Sequence, residues 1–117
     1  TEAIRTSGNK VEQARFTLQR ARGYFRAGEG DAAIDDLSTS YALGYPAASF
    51  ALATAFFLGE DVEMDLLRAE ILFLESYRKG VIWSARGLAL LYGDIGSELY
   101  NPEKSILWEK KFNEENN

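Results

Sequence analysis

The sequence predicts an all-α fold, an array of about three antiparallel helix pairs. Three observations predict it. A shift of 36 residues lays Gly44 on Gly80, Leu52 on Leu88, Phe56 on Tyr92 and Arg68 on Lys104, and a fixed period in the range of about 20–50 residues marks a helical repeat. Apolar residues recur at alternating spacings of three and four, the signature of one buried helix face. Strand signals are absent: Val and Ile are few and no stretch alternates apolar with polar.

Residues 1–9 (TEAIRTSGN) are polar and carry no clear stripe, so they are expected to be flexible. The repeat domain is placed at 10–113, with units of about 10–43, 44–79 and 80–113, and 114–117 is read as a loose tail. The first helix shows the stripe Val11, Ala14, Leu18, Ala21 and Phe25, and stops at Gly28 and Gly30. Asp31 is placed to cap the second helix. That helix turns Ala33, Ile34, Leu37 and Tyr41 inward, leaves Asp35 and Asp36 on its wet side, and ends at Gly44.

Pro46 suits the first position of the third helix, where its missing N–H costs nothing. Ala48, Ala51, Leu52, Ala55 and Phe56 give that helix a mixed small and large face, closed at Gly59. After an acidic loop, Asp65 can cap a fourth helix to Lys79. It is apolar nearly all round (Leu66, Leu67, Ala69, Ile71, Leu72, Phe73, Leu74, Tyr77), which predicts burial on more than one side. The fifth helix spans about Ile82 to Tyr92. Asn101–Pro102 forms a cap-and-start pair for a sixth, with Ile106, Leu107, Trp108 and Phe112.

The Gly44–Gly80 stretch resembles a Sel1-like repeat, a variant of the tetratricopeptide repeat. Gly44, Ala48, Leu52, Phe56, Gly59, Val62, Asp65, Arg68, Ala69 and Gly80 stand at the places of that family's pattern without a gap. The next unit keeps Leu88, Tyr92, Lys104 and Trp108, while Ile95, Ser97 and Glu98 depart from the family's loop. The first unit is weaker. Phe25-x-x-Gly28 matches Phe56-x-x-Gly59, and Ser40-Tyr41-x-x-Gly44 matches Ser76-Tyr77-x-x-Gly80, with a turn about five residues shorter. The resemblance implies a right-handed α-solenoid. It implies an adaptor or regulator that binds a partner protein, usually bacterial at this size, in the cytoplasm or periplasm. A sharper form is an immunity protein that neutralises a secreted bacterial toxin.

Net charge is −5 over 117 residues. Residues 1–26 carry six basic residues against Glu2 and Glu12, whereas residues 27–67 contain eight acids and no Lys or Arg. This acidic middle disfavours nucleic acid and anionic membranes and favours a partner protein with a basic surface. No apolar run approaches the ~20 residues of a membrane span. Thr1 in place of Met fits removal of a leader or a trimmed start. The sequence has no Cys and no His. Disulfides, thiolate chemistry, Cys/His zinc sites and His-based triads are therefore excluded for this stretch, and no cofactor is expected.

In arrays of this kind the first helix of each pair tends to line the concave, partner-binding side. Phe50, Thr54 and Phe57 form one strip of the third helix, distinct from Leu52 and Phe56. Arg86 and Leu90 are equivalents on the fifth helix, and Arg22 and Arg26 border the same surface. Apolar anchors edged by Arg are typical of binding hot spots. Trp83 is a candidate surface anchor, while Trp108 reads as core. Asp35–Asp36 diverge by about 100° around a helix and make no acid/base pair, and Glu60–Asp61 falls in a turn. Some Sel1-like proteins have been described as β-lactamases. Here Ser7-Gly-Asn-Lys10 matches Ser-x-x-Lys only formally, with no companion motif. A non-enzymatic binding module is the expected class.

Overall fold

In the computed structural model the described residues, 2–116, form six helices and no strand. They are α1 (Glu2–Arg26), α2 (Gly30–Ala42), α3 (Pro46–Leu58), α4 (Leu66–Arg78), α5 (Trp83–Tyr92) and α6 (Pro102–Glu115). Each helix packs on the next, and α3 also reaches α5. Thr1 and Asn117, from the expected flexible segment and tail, lie outside the described residues.

The 36-residue period is written into the backbone. Asp65 N–H donates to the Phe56 carbonyl at 3.0 Å, and Asn101 N–H donates to that of Tyr92 at 2.8 Å. Tyr45 N–H donates to the Ser40 carbonyl at 3.2 Å, and Val81 N–H to that of Ser76 at 3.0 Å. Two of the three expected caps form: Asp65 Oδ1 accepts from Arg68 N–H at 3.0 Å, and Asn101 Oδ1 accepts from Lys104 N–H at 3.1 Å. Cations cover the same ring position in each unit, the Arg68 guanidinium over Phe56 and the Lys104 ammonium over Tyr92, each 5.2 Å from the ring centroid.

The core runs through all three pairs: Leu18, Ala21, Leu37, Leu52, Ala53, Ala69, Leu72, Phe73, Leu88, Leu91 and Tyr92. Phe73 is its centre. The ring lies against the backbone of α5, where a Cβ on Gly87 would come within 2.5 Å of Phe73 Cε1. Small residues bring α4 and α5 together elsewhere too, with the buried Ser76 and Ser84 hydroxyls hydrogen-bonded to each other. Tyrosines strut the second helices of successive pairs, Tyr41 donating to Glu75 at 2.9 Å and Tyr77 to Glu115. Accepting carboxylates hold both phenols above their ordinary value, Tyr77 at about 12.

Several expectations need correction. Helix α1 begins at Glu2, not Lys10. Residues 2–9 contain no Pro, and a single Gly costs only about 1 kcal/mol in an established helix. Helix α6 likewise continues through Glu114 and Glu115. Asp31 does not cap α2: Glu29 holds the cap position with no side-chain bond, and Asp31 sits in the first turn. Asp36 is not on the wet side. It is 6% exposed, because Arg20 of α1 reaches across to neutralise it. Nor is α4 buried all round. Leu67 and Ile71 face outward, Ile71 at 63% exposure, because α3 and α5 cover only part of its circumference.

Candidate interaction groove

The first helices of the first two pairs, α1 and α3, border a groove of about 490 Å³. Its apolar lining comes from Leu18, Phe25, Phe50 and Leu58; Arg22 stands on one wall and Thr54 on the other, with Glu60 and Asp61 at its mouth. Local sequence explains each wall. Phe25 falls at the end of the α1 stripe, where the chain turns away before α2 can cover it, and stays partly exposed. Leu58 is the last residue of α3 before the left-handed Gly59. The α3–α4 loop then folds back on the start of α2, so that a Cβ on Gly30 would overlap the Asp61 carboxylate. Thr54 donates its hydroxyl to the Phe50 carbonyl at 3.0 Å, which satisfies that hydroxyl within its own helix.

Beyond the mouth, Glu29, Asp31, Glu60, Asp61 and Glu63 surround a shallow depression. None of these five forms an ion pair among the described residues. Chain connectivity produces this rim. The α1–α2 turn and the α3–α4 loop lie at the same end of the array, and both belong to the segment without Lys or Arg.

The eight sequence-derived candidates divide among different surroundings. Arg22, Phe50 and Thr54 share the groove. Phe50 also packs on Phe73, ring centroids 6.0 Å apart, and Phe57 meets the same ring edge-on at 6.2 Å. Both are half-buried. Arg86 forms an ion pair with Glu109 of α6. Leu90 and Arg26 are exposed and outside the groove lining. Trp83 is 58% exposed while one part of its ring rests on Phe112, centroids 5.0 Å apart. The side chain of Ser7 lies outside the described residues.

Leu58, Phe25 and the rim acids escaped the sequence reading as groove residues. A position just before a helix-ending Gly is the signal that could have found Leu58, since the next helix cannot cover it there.

Among the described residues no group of three or more acidic side chains is placed to hold a metal ion. No described helix is long and apolar enough to cross a membrane. No family model, curated protein or solved structure matches the chain.

Proposed function

We propose that this chain is a non-enzymatic protein-interaction module of the Sel1-like, tetratricopeptide type. In this reading its helix pairs wind as a right-handed solenoid, and a partner segment lies along the inner helices. The observation that carries the reading is the groove in which Arg22, Phe50 and Thr54 meet around an apolar floor with an acidic mouth. An apolar seat with a few polar groups at its edge suits a partner's apolar anchor flanked by a basic residue. The acidic rim favours a basic partner, and with it the inhibitor form of the module, such as an immunity protein against a basic toxin.

The test is affinity capture from the source cell with wild type beside Leu58→Asp, a change at an exposed groove position that leaves the core untouched. The expected result is a partner retained by wild type and lost by the variant at unchanged helicity. Equal retention by both proteins would remove the groove from the binding surface.

A further inference from the structure

Helix α1 has 25 residues against 13 in α2. The Ser40 hydroxyl, two residues before α2 closes, donates to the Ala14 carbonyl at 2.8 Å. The end of α2 therefore lies level with Ala14, and α1 runs on past it toward Glu2. Where α2 stops, the buried stripe of Ala14, Leu18 and Ala21 continues into Val11, which is 50% exposed. Lys10 and Arg15 are exposed beside it. This stretch of α1 presents an uncovered Val11 flanked by two cations, with Glu12 the one acid among residues 9–15.

The α1–α3 groove has the opposite character at its mouth. Its apolar floor opens between Glu60 and Asp61. The two features cannot meet within one molecule. Helix α1 leads from Lys10 to Arg26 before the chain reaches the rim, and sixteen residues at about 1.5 Å each hold them roughly 24 Å apart. The cations Lys10 and Arg15 on α1 and the acids Glu60 and Asp61 beyond its far end are thus complementary in charge but separated within one molecule.

We propose that the groove accepts the projecting N-terminal end of α1 from a second copy of this chain, Val11 on the apolar floor and Lys10 and Arg15 against Glu60 and Asp61. This names an occupant for the groove and rests on its reading as a binding surface. The contact is heterologous, each copy offering a different patch, so copies add head to tail unless the rotation closes a ring. A groove filled in this way competes with any other partner. Self-association then sets how much free module is available.

The prediction concerns mass and its salt dependence. At an ionic strength of about 0.01 M, where charges act over roughly 30 Å, the sedimentation mass of the wild type rises with concentration to at least about twice the 13.1 kDa monomer. At about 1 M, with screening near 3 Å, it returns to the monomer. Two variants separate the ends of the contact. Glu60→Lys/Asp61→Lys spoils the mouth and keeps the projecting helix. Lys10→Ala/Val11→Ala/Arg15→Ala spoils the helix edge with residues that favour helix. Each alone stays monomeric, and an equimolar mixture forms a 1:1 dimer and nothing larger, because only one intact pair of ends remains. A wild type that stays monomeric at low salt overturns the proposal, and so does a mixture that stays monomeric. Partner capture that depends on Leu58 would survive either result, so loss of self-association and loss of the binding reading are told apart.

Discussion

The second and third helix pairs solve the same packing problem at the same register with opposite chemistry. In the second pair Phe50 of α3 packs on Phe73 of α4. Shifted by 36 residues, these positions are Arg86 of α5 and Glu109 of α6, which form an ion pair. The backbone is common to both; the cover is not. Phe73 is enclosed by α3 on one side and Gly87 of α5 on the other, and is 1% exposed. Helix α6 packs on α5 and meets α4 at Tyr77, but no further described helix follows to cover the α5–α6 seam, and the side chains of Arg86 and Glu109 stay 42% and 41% exposed. A charge pair sealed between three helices would lose its hydration without full repayment, while the same pair beside water costs little. The seam residue of a pair is therefore chosen by whether a further helix covers it.

That comparison breaks first at Phe73. Phe73→Ala should lower the unfolding free energy by about 3–5 kcal/mol, the cost of an aromatic cavity in a core. Glu109→Ala, at the equivalent position, should cost under about 1 kcal/mol. Urea denaturation of the two variants checks the contrast, and similar losses would mean that cover does not set the chemistry. Gly87→Ala comes next. Its new Cβ falls 2.5 Å from the Phe73 ring, and overpacking of this kind costs roughly 1–3 kcal/mol. The double variant Phe73→Leu/Gly87→Ala should be less destabilised than the sum of its single changes, since the shorter side chain vacates the space the Cβ needs. Strict additivity would show that the ring is not what Gly87 accommodates.

These particulars also show what the sequence made legible. Helices α2 to α6, their glycine and proline boundaries and two of three proposed caps follow from local rules, because helix ends are settled by neighbours in the chain. The role of Gly87 was hidden, since it depends on a ring fourteen residues away. Asp36 was misplaced for a similar reason: alone on a helical wheel it faces water, and only Arg20 from another helix makes its burial tolerable. Of the candidate groove, Arg22, Phe50 and Thr54 were reachable by projecting repeat geometry onto helix faces. The acidic mouth was visible only as composition. That Glu60 and Asp61 close an apolar groove depends on how the α3–α4 loop folds back, and loops carry no period to read.

The first pair supplies a third chemistry and the smallest expected effect. Asp36 accepts from Arg20 Nε at 2.7 Å and from Nη2 at 2.8 Å, a two-pronged bond whose cation remains about half exposed. The hydrogen bonds from Arg20 hold the Asp36 carboxyl below its ordinary value of 3.8, against the opposing effect of burial. A carboxyl with a depressed folded value stabilises the fold above its unfolded value, and that contribution disappears as pH falls through the folded value. Asp36→Asn removes the charge while keeping the size. Its urea midpoint should lie below wild type at pH 7, and the two should converge as pH is lowered past 3.8. Added salt should narrow the gap at pH 7, because the exposed guanidinium is screened. Curves that stay parallel into acid would mean that the substitution acts through packing alone. The first pair would then join the second as a seam held by shape and not by charge.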